Sequence, residues 1–302
     1  MTQGRSYGSP AAFRRALTDA LREVARTSRW SLSQLQRQMA YDRFLERLYL
    51  VDRGWVVKGA TALLARGIGV RATIDLDMYR DRALEEADTE LRKAATGDIG
   101  DWFRFELGPS RPVTEGGGVR IPATAYVGTT AWAAFHIDLV GSDLTMTGEP
   151  EDVPPLAPVP IPDVVQHGYR AYPLTDHIAD KFAAILQRYG DAQMPSTRYR
   201  DLVDLVAIVT AASVAADPQA IALASEARRR GIRLPSSFGV PDRELWVRGY
   251  AAEAERSLLP AARTLETALA LVRPFVDPLL DGSAAGSWDP EQSRWTQPDQ
   301  HP

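Results

Sequence analysis

WVVKGATALLARGIGVRATIDLDMYRD, residues 55–81, decides the fold. It joins an apolar strand ending at Lys58, a small-residue turn (Gly59, Ala60, Thr61) that enters a helix, and a second strand carrying Asp75 and Asp77. Strand residues two apart share a face. Thr73, Asp75 and Asp77 therefore project together if 72–78 is extended. Two carboxylates so placed suit a hard divalent cation that also binds phosphate oxygens, which points first to phosphoryl or nucleotidyl transfer. A lone Asp-x-Asp is a weak signal, and a surface turn pair or helix-capping acids is the plainer account. Its setting inside an apolar strand adds weight, because like charges held side by side are costly unless a cation offsets them.

Working outward, a third carboxylate stands in AAFHIDLVG, where Asp138 alternates with Phe135, Ile137 and Leu139. It reads either as one outward polar residue of a half-buried strand or as the third acid of a metal pair with Asp75 and Asp77. The Gly59–Thr61 turn can expose backbone N–H groups to phosphate, with the Thr61 hydroxyl as a further donor. Thr61 as a simple helix cap is the bland alternative. Lys58 either pairs with phosphate or edges the sheet. No GxxxxGK[ST] loop occurs.

Lys181, in LTDHIADKFAAILQRYG, lies just off an apolar helix face. It is either a solvated lysine or the cation that neutralises departing pyrophosphate. In STRYRDLVDLVAIV, Asp201 and Asp204 are three apart and share a helix face. Asp201 either complements the helix dipole or orients Lys181 or the nucleophile. Arg198 and Arg200 either hold phosphate or are surface charge. Arg71 contacts nucleotide or pairs with a carboxylate. Thr73 offers a regulatory hydroxyl, since a phosphate there would repel a triphosphate. His136 reads as structural, and the four histidines have no zinc spacing. Arg228–Arg230 with Arg233 is a basic cluster, favourable at a helix C-terminus or toward RNA phosphate.

The chain has 302 residues, 45% hydrophobic and 25% charged, enough for two domains. It has no cysteine, which excludes disulfides, thiolate metal sites and a Cys nucleophile and fits a reducing, cytoplasmic setting. No signal peptide or membrane span is expected, since no stretch reaches roughly 18–20 apolar residues. Net charge is −4, unpromising for a nucleic-acid partner. The charge is uneven, however: residues 181–233 hold eight bases and five acids, while 281–302 hold four acids and one base. A basic region of this kind is compatible with RNA binding without requiring it.

Periodicity and turn residues predict helices over 10–27, 31–52, 60–66 and 84–96, and strands over 55–58, 72–79, 102–107, 119–126 and 132–140. Gly116–Gly118 fits a turn, and 150–162 an extended proline-rich connector. Helices are expected over 175–189, 196–212, 218–230, 244–258 and 261–280. The domains expected are N-terminal helices (1–54), an α/β core (55–165), a helical C-terminal domain (166–281) and a disordered tail (282–302).

Four segments together resemble the AbiEii/AbiGii toxin family of nucleotidyltransferases, which includes the mycobacterial MenT-type toxins. They are VVKGATAL leading to RATIDLD, the strand FHIDLV, the helix HIADKFAAIL and RYRDLVDL, in order from Trp55 to Leu205. Ala60 departs from the family's second glycine and Arg200 from its usual lysine. Arg still binds phosphate but does not act as a base.

The resemblance implies an α+β chain: a polymerase-β-like nucleotidyltransferase core with a mixed sheet, then a helical domain. It implies a toxin of a type IV-like toxin–antitoxin or phage-defence pair, of EC 2.7.7 type. The substrates implied are an NTP and an RNA acceptor, foremost a tRNA 3′ end, so that aminoacylation and growth stop. An AbiEi-like antitoxin is the implied partner, with no membrane partner. With Mg²⁺ or Mn²⁺ as cofactor, Asp75, Asp77 and Asp138 would hold metal. Asp75, Asp77, Lys181 and Asp201 would be catalytic. Lys58, Gly59, Thr61, Arg71, Thr73, Arg198 and Arg200 would contact nucleotide. Two other readings stand beside this one: nucleotidyl transfer to a protein hydroxyl or small molecule, and a non-catalytic NTP-binding partner protein.

Overall fold

The computed structural model describes residues 6–113, 117–157 and 159–296. Gly116 and the tail beyond Thr296, with His301, lie outside them. The chain forms two compact units.

Unit 1 takes the described residues up to Arg66, with Ala72–Thr145 and Pro150–Ala171. Its elements are α1 (Pro10–Thr27), α2 (Leu32–Val51), β1 (Trp55–Val57), α3 (Gly59–Ala65), β2 (Asp75–Arg80), α4 (Leu84–Ala95), β3 (Phe103–Leu107), β4 (Arg111–Pro112), β5 (Val119–Val127), β6 (Thr130–Val140), β7 (Glu151–Val153) and β8 (Tyr169–Ala171). They build a mixed sheet in the order β3-β5-β6-β2-β1-β8-β7, with β4 against β5. β2 runs parallel to β6, and β1 parallel to β8. This is the α+β architecture that the family resemblance implies.

Local chemistry sets the ends of these elements. Ser9 accepts from the Ala12 N–H and starts α1, which buries Phe13, Leu17 and Leu21 four residues apart. Ser31 and Gln34 form a capping box on α2. α2 departs from a simple amphipathic helix, because Asp42, Arg43, Glu46 and Arg47 are all buried. Each is satisfied internally. Asp42 accepts the Leu156 and Ala157 N–H groups at 2.9 and 2.8 Å and so ties down the proline-rich connector. That connector also contributes β7, an edge strand the proline content hides.

β2 begins at Asp75, three residues later than periodicity predicts. The Thr73 hydroxyl accepts from the Asp75 N–H and donates to the Asp75 carbonyl, both at 3.1 Å. This local bonding competes with the ladder and leaves Ile74 exposed.

Unit 2 takes Gly67–Arg71, Met146–Glu149 and the described residues from Tyr172 onward. It holds α5 (Leu174–Leu186), the hairpin β9 (Arg188–Tyr189) and β10 (Met194–Pro195), α6 (Tyr199–Val209), α7 (Ala216–Arg230), α8 (Arg243–Glu255), α9 (Leu265–Asp281) and the hairpin β11 (Ser287–Asp289) and β12 (Arg294–Thr296). α5 stops at Leu186 rather than Tyr189, since Gln187 turns extended and Arg188 enters β9.

The stretch read from composition as a disordered tail is ordered from 283 to 296. Trp288 is 1% exposed and donates its indole N–H to the Val209 carbonyl at 2.7 Å. It packs edge-on against Phe275 and pairs across the hairpin with Trp295. Two tryptophans bury enough area to order a segment whose average composition is polar. No helix among the described residues is long and apolar enough to cross a membrane.

Candidate functional site

Each unit gathers part of the predicted chemistry. In unit 1 the alternation of β2 and β6 puts apolar residues on one face and acids on the other. Leu76, Ile137 and Leu139 are fully buried, whereas Asp75 and Asp138 keep side-chain exposures of 28% and 22%. The parallel register sets Asp77 opposite Asp138 and Asp75 opposite His136. The antiparallel register of β5 sets Arg120 opposite Asp138. Three adjacent strands thus present one polar row.

Gly59 opens α3 with φ +57°, and a Cβ there would stand 1.9 Å from Asp77 Oδ2. Only glycine fits this position, so the backbone turn and the second acid are built against one another. The Thr61 hydroxyl, expected at phosphate, is buried and donates to the Asp75 carbonyl at 3.1 Å. Thr61 and Thr73 thus share one acceptor and fix the backbone beneath Asp75. Lys58 caps α3, and its backbone N–H donates to the Asp77 carbonyl at 2.8 Å.

Asp138 does not stand open as a third ligand. Arg120 donates to both its oxygens, Nε to Oδ1 at 2.7 Å and Nη2 to Oδ2 at 2.6 Å, and reaches within 3.6 Å of Asp75 Oδ1. His136 Nδ1 lies 3.5 Å from the same Asp75 oxygen. Among the described residues no three His, Cys, Asp or Glu side chains group closely enough to hold a metal ion. The Asp75–Asp77 pair does fit a hard cation. Asp75 Oδ1 is buried without a hydrogen-bond partner, and the bare Cα of Gly59 lets the Asp77 carboxylate pack directly against the turn.

Unit 2 gathers Lys181, Asp201, Asp204, Arg71 and Arg198. Lys181 is 5% exposed and donates to Asp201 Oδ1 at 3.0 Å and to Asp204 Oδ2 at 2.7 Å. Arg71 grips Asp204 through two nitrogens at 2.9 and 2.7 Å, and Arg198 holds Asp201 Oδ2 at 2.7 Å. Three cations meet two carboxylates, which leaves the cluster net positive and suited to an anion. Arg200 stands apart, 60% exposed and paired with Glu253. Arg229 and Arg230 are tied to Glu226 and Asp180, so two members of the basic cluster are spent within the helical unit.

Burial opposes charge on Asp204, but Lys181 and Arg71 outweigh it and hold the carboxyl well below the usual carboxylate range. Burial likewise works against Lys181, and Asp204 and Asp201 more than offset it, raising the ammonium above the ordinary lysine value. A depressed acid contributes stability above its unfolded value of 3.8 and loses it as pH falls. A raised lysine contributes below 10.5 and loses it as pH climbs through the folded value. The contribution of this cluster to stability against urea should therefore be largest between about pH 4 and 10. Asp204→Asn should lower it by about 3 kcal/mol or more and shrink the acid-side fall. Equal acid limbs in the two proteins would remove Asp204 from this role.

Arg120, His136 and Asp204 are the participants to which sequence reading assigns no site role: Asp204 is noted only as a neighbour of Asp201, His136 only as structural, and Arg120 not at all. His136 carried a signal, since it sits two residues before Asp138 and shares its face. Asp204 carried one as well, an acid one turn beyond Asp201 in an apolar helix. Arg120 carried none, because cross-strand register is not written in a single chain.

Comparison with known proteins gives a family match over residues 43–282, to the nucleotidyl transferase AbiEii toxin of type IV toxin–antitoxin systems. Among solved structures the chain is similar to MenT4, a nucleotidyltransferase toxin of Mycobacterium tuberculosis. The identity is 16%, over 85% of this chain and 99% of that one, with a TM-score of 0.50. It is also similar to JHP933 of Helicobacter pylori, at 19% identity over 81% and 92% of the two chains with TM-score 0.46. A nucleotidyltransferase described as putative in H. pylori matches at 18% identity over 81% and 94%, with TM-score 0.41. A search of curated proteins gives no match.

Proposed function

Because this chain belongs to the AbiEii nucleotidyl transferase toxin family, we propose that it moves a nucleotide from an NTP to RNA, foremost a tRNA 3′ end. The observation that carries this is the Asp75–Asp77 pair, with Asp77 packed against Gly59 and an Asp75 oxygen that makes no hydrogen bond. A Mg²⁺ or Mn²⁺ ion held there would offset triphosphate charge and polarise the α-phosphate.

Asp75 and Asp77 hold the donor end of the reaction in place. The Thr61 and Thr73 hydroxyls keep the backbone of Asp75 fixed, so its carboxylate needs no reorganisation. The acceptor 3′ oxygen bonds to the α-phosphorus as the bond to the β-phosphate oxygen breaks and pyrophosphate leaves. Lys181, oriented by Asp201 and Asp204, neutralises charge on the departing pyrophosphate. Arg71 and Arg198 keep those two acids in place. A tRNA lengthened at its 3′ end no longer accepts an amino acid, and translation stops in the cytoplasm. A cognate antitoxin, of the AbiEi-like kind, restrains the activity.

A protein hydroxyl or small molecule is the second acceptor class. It is favoured by the internal pairing of Arg229 and Arg230, which removes two of the arginines suited to RNA phosphate. The test is incorporation of each α-labelled NTP into purified tRNA with Mg²⁺. Label on RNA supports the first reading and names the base. Label that appears without RNA, on protein or small molecule, moves the proposal to the second. No label from folded protein under any condition overturns both.

A further inference from the structure

Arg120 is absent from the family motifs, yet it occupies the place where a third metal ligand would be expected. It stands on β5, beside β6 and one strand removed from β2, opposite Asp138, which is itself opposite Asp77. Its two nitrogens take both Asp138 oxygens at 2.7 and 2.6 Å. The same Nη2 reaches toward Asp75 Oδ1, which makes no hydrogen bond, at 3.6 Å. A fixed cation thus spans the acids that a mobile one would use. At 46% exposure, the guanidinium is open to an anion arriving from solvent.

We propose that Arg120 couples metal binding to triphosphate binding, by guarding Asp138 until a triphosphate draws its guanidinium away. A guanidinium fork matches a carboxylate and a phosphate with the same two-pronged geometry. A triphosphate carries more charge than one aspartate, so the exchange favours it. When Arg120 turns to phosphate, Asp138 is bared beside Asp77 as the cation arrives on that triphosphate. Metal alone meets a site whose Asp138 is already paired with Arg120; metal with triphosphate meets one just opened. Arg120 is in this sense a positioning residue, acting through Asp138. The inference rests on the nucleotidyltransferase reading and adds a regulation to it.

The coupling predicts that one substitution moves two affinities in opposite directions. In Arg120→Gln, Asp138 is uncovered without triphosphate, so Mn²⁺ binding followed by electron paramagnetic resonance should tighten on the order of tenfold. Inorganic triphosphate without metal, followed by calorimetry in chelator, should bind on the order of tenfold more weakly. Arg120→Lys should hold Mn²⁺ affinity near wild type, because its charge remains, while triphosphate still weakens because lysine lacks the fork. A plain structural clamp between β5 and β6 would shift the thermal midpoint without this opposed pair. Unchanged Mn²⁺ affinity in folded Arg120→Gln overturns the coupling while wild-type Mn²⁺ binding leaves the nucleotidyltransferase reading standing. If neither protein binds Mn²⁺, both fall.

Discussion

Asp75→Asn should cut nucleotide incorporation by roughly a thousandfold and leave the fold intact. The side chain is 28% exposed, its Oδ1 makes no hydrogen bond, and its ion contacts to Arg120 and His136 are long, at 3.6 and 3.5 Å, so little native bonding is lost. The backbone carbonyl of residue 75 keeps its bonds from Thr61 and Thr73. Asn also removes a charge facing the Asp77–Asp138 row, which relieves repulsion between like charges. The thermal midpoint should therefore equal or exceed that of wild type, while label transfer to RNA disappears. Full incorporation by folded Asp75→Asn would take this residue out of the chemistry.

Asp101→Ala should have the largest effect on stability, lowering it by about 3–5 kcal/mol. Asp101 is fully buried and answers two buried arginines of α2. Arg43 Nε donates to it at 2.6 Å, and Arg47 donates through two nitrogens at 3.0 and 2.7 Å. Its Oδ1 also accepts the Phe103 N–H at the start of β3. Removing it leaves two guanidiniums in the core with only carbonyls to bond, those of Gly97 and Phe103 among them. Asp101→Asn should cost less, because one acceptor survives. Urea melts of both variants give the comparison, and an Asp101→Ala midpoint within error of wild type would deny the triad its role.

Much of this was legible because it is local. The helix over 10–27 follows from a serine cap, a proline in the first turn and apolar residues one turn apart. The shared face of Asp75 and Asp77 follows from strand period alone. What escaped is long-range. The approach of Arg120 to Asp138 depends on which strand lies beside β6 and in what register, and no window of sequence carries that. The burial of Asp42, Arg43 and Arg47 on α2 is hidden because their partners are up to more than a hundred residues away. The tryptophan hairpin is missed because composition averages over a segment in which two indoles, Trp288 to the Val209 carbonyl and Trp295 to the Phe275 carbonyl, make the anchoring bonds.

The division of the chain into units is not a division of the gene. Gly67–Arg71 and Met146–Glu149 belong to the helical unit although they lie within the sequence of the other. Arg71 supplies the two-pronged grip on Asp204, and the Thr147 and Gly148 N–H groups satisfy Asp176 at 3.0 to 3.1 Å. A single crossover near residue 171 would therefore pair Asp204 and Asp176 with loops inherited from another lineage. Descent should favour passing the two units on together, and chimaeras of relatives should work only when the two short inserts travel with the C-terminal half.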